Sequence, residues 1–421
     1  MSFNTIFNTM IILSNQIKEN SLEKIDIVLA ISLGIYIFFS FMGIAPLVSE
    51  DLSRIPLYVF LGVTLLKLFE RLSSLRLTSY SIWYFVLIVL GLFSSFYALR
   101  GAYVFETTYQ LLVNIVLAFS VIQFARNYSS IKAIFAFYAI SALIFSFYLY
   151  FSGRINTEGV RLGGDLFGNT NNLAMLMMLA LFCVFWLLIY GDLRLKPLYF
   201  LACIVLFFVT ALTGGRKYLL MPFIFLFLLI VFKNAKNNRL NWLVSIVFFV
   251  LITFAGIVAV VNIPALYNMI GTRYEGLIDF LTGNLYYSDA STNFRYLMIT
   301  MGWKWFLAKP ILGYGLDNYR VLFNLVSSDS YSHNNYIEML VNLGIVGFVL
   351  YYSFYAFIIK KLIMNKNDKS GLRNFFLAFA LSLLLFEVGA VTYSLTQVQI
   401  FLGMASAYIY ISDKQPADIV A

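Results

Sequence analysis

The chain has 421 residues, of which 61% are hydrophobic, 18% aromatic and only 12% charged, and its mean hydropathy is +0.85. Soluble globular domains carry roughly 25% charged residues, so a soluble domain is excluded and the length is better counted in membrane spans of about 20 residues. The net charge of +9 does not by itself imply an anionic partner, because topology claims most of the cations of a polytopic membrane protein first.

In chain order, residues 1–26 are mixed polar and charged (Lys18, Glu19, Glu23, Lys24, Asp26), so no cleavable leader is expected. Hydrophobic runs then predict an all-α polytopic membrane protein of about twelve spans. They lie at about 27–44, 55–69, 78–99, 107–125, 131–151, 168–190, 197–213, 217–232, 242–261, 336–359, 374–392 and 395–411, the second and last being the weakest runs. Three parts follow: spans one to nine in 1–261, a long loop in 262–335, and spans ten to twelve with a tail in 336–421. The long loop has 74 residues, too many for a passive connector. In it Phe294, Leu297, Met298, Met301 and Trp305 mark one face of a helix, and Trp303 with Trp305 suits a helix lying at the membrane surface. Lys309-Pro310 ends that helix, and Gly313-Tyr314-Gly315 makes a turn.

With both termini in the cytoplasm, the cytoplasmic segments hold 18 of the 29 lysines and arginines. The other face holds 11, five of them in the long loop, and long loops translocate largely regardless of charge. The comparison is therefore 18 against 6, which puts the long loop outside. The six that oppose the bias are Arg54, Arg100, Arg154, Arg161, Arg216 and Lys217. Arg54 and Arg100 read as solvated edge residues. Arg216 and Lys217 follow Gly214-Gly215 in a hinge between spans seven and eight. An arginine at a glycine-approached helix N-terminus suits an anion; lipid headgroups are the plainer partner. Arg161 precedes Gly168-Asn169-Thr170-Asn171-Asn172, a cluster that either caps span six or touches a sugar. Arg295 opens the loop helix and, taken alone, reads as a surface residue. The loop carries five cations (Arg273, Arg295, Lys304, Lys309, Arg320) and five acids (Glu275, Asp279, Asp289, Asp317, Asp329), so it is no nucleic-acid patch.

The only histidine, His333, lies in Ser332-His333-Asn334-Asn335-Tyr336 at the mouth of span ten. Asn335 as N-cap with Glu338 three residues on resembles a capping box, which starts the helix just after the histidine. The positive end of that helix favours neutral imidazole, the form a general base needs. The plainer reading is a loop residue hydrogen-bonded to its neighbours. Cys183 and Cys203 lie inside apolar runs, giving neither a disulfide framework nor metal spacing nor a Cys/His pair. No glycine-rich nucleotide loop is present. No metal and no cofactor is expected, and the energy for a reaction comes with the substrate.

Four motifs in order resemble the O-antigen ligase/polymerase superfamily of bacterial membrane proteins. They are Arg161…Gly168-Asn169…Asn172-Leu173-Ala174; Thr213-Gly214-Gly215-Arg216-Lys217, with Gly215 where serine is common; Arg295…Trp305…Pro310…Gly313-Tyr314-Gly315; and Ser332-His333-Asn334…Glu338…Leu340…Gly344-Ile345-Val346-Gly347. The likeness covers about 160–350. It implies a GT-C-like fold in the bacterial inner membrane and a metal-independent, inverting glycosyl transfer on the periplasmic side. Donor and acceptor would be glycans on undecaprenyl diphosphate, with membrane lipids around them and a chain-length regulator as a further partner. Carried over, Arg216 and Arg295 bind the diphosphate with Arg161 assisting, and His333 activates the acceptor hydroxyl. Lys217, Asn172, Asn334 and Glu338 give sugar or supporting contacts. The hinge and the aromatic content favour a polymerase over a ligase that transfers finished polymer to lipid A-core. A lipid-linked oligosaccharide flippase also has about twelve spans, but its cations should line a central cavity.

Overall fold

The computed structural model describes residues 26–42, 50–70, 75–153, 170–234, 290–365 and 370–414, with single residues 155, 162, 258, 262, 267, 275, 282 and 368. Arg154, Arg161, Arg273 and all but one residue of the expected span 242–261 lie outside the described residues. Among those described, regular structure is entirely helical. In chain order the helices are α1 Ile27–Met42, α2 Glu50–Glu70, α3 Ser79–Phe93, α4 Gly101–Phe124, α5 Tyr128–Phe151, α6 Thr170–Tyr190 and α7 Lys196–Leu212. Then come α8 Arg216–Asn234, α9 Ala290–Ala308, α10 Tyr319–Asn324, α11 Asn335–Met364, α12 Leu372–Phe386 and α13 Thr396–Lys414.

Seven are long and apolar enough to cross a membrane: α3 to α8 and α11, where α3 and α7 count with an adjoining 3₁₀ turn. α1 and α12 are shorter apolar helices. α2 and α13, the weakest runs in the sequence, are helices outside that group. The most enclosed is α6, buried without a break from Leu173 to Leu187. A helix that is apolar all round has no face to turn to solvent and is driven to the centre of its bundle. Around it pack α5, α7 and α8, while α4 lies against α13, α8 against α12, and α3 against α11.

Two elements differ from the sequence reading, and both differences shape the site. The expected span 374–392 stops at Phe386, and 387–395 is an irregular turn. Its residues are apolar enough to extend the run, but its backbone carbonyls accept from Asn335, Asn334 and Lys217 instead of from a further helical turn. The expected continuous span 336–359 is broken at Gly344, whose φ is 63° and ψ −164°. Across the break Tyr314 and Gly315 donate their N–H groups to Val341 O and Asn342 O at 2.9 and 2.8 Å, and Ile345 donates to Pro310 O at 2.8 Å. Val341 O, Asn342 O and Ile345 N, freed by the break, thus find partners, as the low dielectric of a membrane demands. Only glycine fits: a Cβ on Gly344 would lie 2.2 Å from Ile311 O, and one on Gly313 2.4 Å from Val341 O.

The loop helix forms as α9, five residues earlier than Arg295, which sits in its second turn. Its buried face runs through Met298, with Phe294 and Trp305 packed beside it; Leu297 turns away and is 37% exposed. Trp305 faces inward against Tyr319 at 5.5 Å, so of the two tryptophans only Trp303 lies outward. Met298, Tyr314, Tyr319, Leu322, Phe323, Ile337 and Val341 form a second small core, apart from the main one. Asn318, fully buried, fastens this unit to the α3–α4 connection by accepting from Arg100 N at 2.7 Å.

Candidate active site

One end of the bundle gathers the α7–α8 hinge, the start of α9, the histidine loop and the 387–392 turn. The histidine loop is held from beneath. Glu338, fully buried, accepts from Ser332 N at 2.7 Å and from Asn342 Nδ2 at 3.2 Å. Asn342 Oδ1 in turn accepts from Tyr319 N at 2.7 Å, joining the loop to the second core. The N-cap of α11 is Asn334, not Asn335: its side chain accepts from Ile337 N at 3.0 Å, and its Nδ2 donates to Val388 O at 3.1 Å. Asn335 is drawn inward because its carboxamide is needed elsewhere, accepting from Thr392 N and Tyr393 N and donating to Tyr352 Oη. Glu338 therefore does not complete a capping box; it pins the loop two residues before the cap.

His333 stands between these fixed points with φ 55°, a left-handed conformation uncommon for a side chain with a Cβ. Such conformations persist where surrounding contacts over-determine them, and they cluster at functional sites. The ring lies 4.2 Å from that of Tyr331. Burial, then the Arg295 guanidinium, then the Lys217 ammonium push the imidazole down to about 4. Neutral imidazole is thus favoured by the site's enclosure and by its own cations.

The cations converge from two helices. Lys217, at the start of α8, donates to Gly389 O at 2.5 Å and lies over the rings of Phe386 and Tyr218 at 4.9 and 5.1 Å. Arg216 reaches the first turn of α9, where Ser291 Oγ and Thr292 Oγ1 accept at 3.4 and 3.5 Å. Arg295 lies within electrostatic reach of Lys217, His333 and Tyr331. Hence Lys217, Arg295 and His333 lie within electrostatic reach of one another, with Arg216 on the first turn of the helix that carries Arg295, an arrangement that can hold a compact anion beside a neutral base. Asn172 is exposed on the first turn of α6. Arg161 lies outside the described residues, but its neighbour Leu162 is buried and donates its N–H to Leu212 O at the end of α7.

The 387–392 turn and the Tyr331 ring are parts of the site that sequence reasoning missed. One signal pointed to the turn: Glu387 is an acid inside an otherwise apolar run, and in a membrane segment such a residue marks a functional position. Tyr331 had no signal, since aromatic residues abound in this chain.

No curated protein matches the chain significantly. A family model described as O-antigen ligase matches residues 201–352, a little over a third of the chain, and this stretch contains Arg216, Lys217, Arg295, His333, Asn334 and Glu338. Over those residues the chain is similar to the O-antigen ligase family, and its long apolar helices fit a multi-pass membrane protein.

Proposed function

We propose that the protein is a polymerase that joins undecaprenyl-diphosphate-linked repeat units into O-antigen or capsular polysaccharide. The reaction is an inverting, metal-independent glycosyl transfer at the outer face of a bacterial plasma membrane, with both termini cytoplasmic and 262–335 outside. The observation that carries this reading is the chain's one imidazole, His333, set within reach of Arg295 and Lys217 at one end of an apolar bundle. His333 takes the proton of the acceptor hydroxyl as its oxygen attacks the anomeric carbon. The bond from that carbon to the diphosphate oxygen breaks on the opposite face, so configuration inverts. Charge growing on the departing diphosphate is met by Arg216, Arg295 and Lys217, preorganised donors of the kind that lower such barriers most. The bound diphosphate also offsets the field of Arg295 and Lys217 at His333, which raises the proton affinity of the imidazole as it begins to act as a base.

Cations that meet at one end of the bundle disfavour a flippase. A ligase is the second reading, because the matching family model is described as O-antigen ligase. The glycan profile of a deletion strain tests both. Lipid A-core carrying single repeat units is expected for a polymerase; carrier-bound long chains with unmodified core indicate the ligase. An unchanged profile overturns both readings.

A further inference from the structure

Glu387 takes no part in the chemistry above, yet it is fully buried at the start of the turn that joins the two halves of the site. A carboxylate out of water costs several kcal/mol unless its oxygens are satisfied. Here Oε1 accepts from Tyr355 at 2.7 Å, from Tyr351 at 3.1 Å and from Thr392, while Oε2 accepts from Tyr352 at 2.9 Å. Three of these hydroxyls come from two adjoining turns of α11, the helix that His333 precedes. The backbone that Glu387 anchors then contacts both halves of the site. Its own carbonyl accepts from Asn335 N at 2.9 Å, Val388 O accepts from Asn334, and Gly389 O accepts from Lys217 Nζ. Three consecutive carbonyls thus link the histidine loop to a cation of the α7–α8 hinge.

We propose that Glu387 is a positioning residue: its clasped carboxylate locks 387–392 as the strut that sets Lys217 against the histidine loop. The inference rests on reading Lys217 as a diphosphate contact. Backbone bonds from Val388 N to Leu385 O and from Gly389 N to Phe386 O hold the entry of this turn, Asn335 Oδ1 holds its end at Thr392 N, and the Glu387 carboxylate ties entry to end through the Thr392 hydroxyl. Loss of the carboxylate frees the Gly389 carbonyl to swing, and the Lys217 ammonium loses the neighbour that holds it in register.

The test uses the full-length protein in nanodiscs and inorganic pyrophosphate as probe. Glu387→Gln keeps the side chain's size but offers one acceptor oxygen where two were used. It should weaken pyrophosphate binding about tenfold in the wild-type background and less than about twofold in a Lys217→Met background, because residues acting through one another are non-additive. A purely structural role predicts the same loss in both backgrounds, and that result overturns the proposal. Unchanged binding in Glu387→Gln overturns it too. A wild type that binds no pyrophosphate overturns the diphosphate reading itself and this inference with it. If Glu387→Gln does not fold, Tyr355→Phe, which removes one donor and keeps the ring, is judged by the same two backgrounds.

Discussion

Lys217 and Arg320 belong to the same end of the molecule and are held in opposite ways. Arg320 is neutralised: it pairs with Asp317, approaches Glu106 at 3.4 Å and lies 3.7 Å over the ring of Tyr103. Tyr103 donates to Asp329 at 2.8 Å and Thr107 to Asp317 at 2.7 Å, so α4 is clamped to the segment that precedes the histidine loop. Lys217 is held by a carbonyl and two aromatic faces, all neutral, with Arg295 rather than an acid in its field. A cation whose partners are carboxylates has spent its charge on the fold. One whose partners are dipoles and rings has no counter-charge among them, so an anionic ligand can supply it.

The comparison can be broken at three points. The largest effect is expected at the base that the site cations surround. A positioned general base contributes about 10²–10⁴-fold, so His333→Ala should lower turnover by that order while donor affinity stays near wild type. Polymer made at a normal rate by this variant would reduce His333 to a loop contact.

Next comes the distinction between cations. Arg216→Ala and Arg295→Ala should weaken donor binding roughly ten- to a hundredfold, the span for hydrogen bonds to charged groups. Lysine should rescue only partly, because it lacks the planar fork. Arg320→Ala should instead lower the melting temperature and leave the donor KM alone. Should Arg320→Ala raise the donor KM as much as Arg295→Ala does, the carboxylate-paired arginine serves the donor as well and the contrast drawn for Arg320 fails.

The smallest effect is a titration. As the chain has one histidine, ¹⁵N-labelled histidine reports a single ring. Its midpoint should lie near 4, below the usual value of about 6.5, because burial and the neighbouring Arg295 and Lys217 disfavour the imidazolium. Pyrophosphate cancels part of that positive field and should move the midpoint upward; Arg295→Ala should do the same without ligand. An ordinary midpoint, indifferent to both changes, would show that His333 does not share a site with these cations.

Much of the site was legible because its chemistry needs rare residue types. A lone histidine at a helix mouth and cations on the side that topology disfavours stand out in a chain with 12% charged residues. Gly313 and Gly344 were legible as glycines but not as partners. Their shared purpose, admitting 310–315 into a break in α11, depends on contacts about thirty residues apart in the chain.

The sequence by itself determined a helical membrane protein, since apolar runs of span length leave the backbone no other way to satisfy its hydrogen bonds in lipid. It also singled out His333 as the candidate base and Arg216, Lys217 and Arg295 as the candidate cations, rare residue types in this composition. Only the tertiary structure decided where α12 stops, which asparagine caps α11, and that Arg320 pairs with carboxylates while Lys217 lies against a carbonyl and rings. Each of those outcomes is a competition for a limited number of donors and acceptors. Asn335 turns inward because Thr392 and Tyr393 claim its oxygen, and the run 374–392 breaks at Phe386 because four hydroxyls hold Glu387 and the carbonyls beyond it have partners on α8 and α11. Hydropathy records none of this, because it weighs residues singly and the winner of a hydrogen bond is a property of pairs.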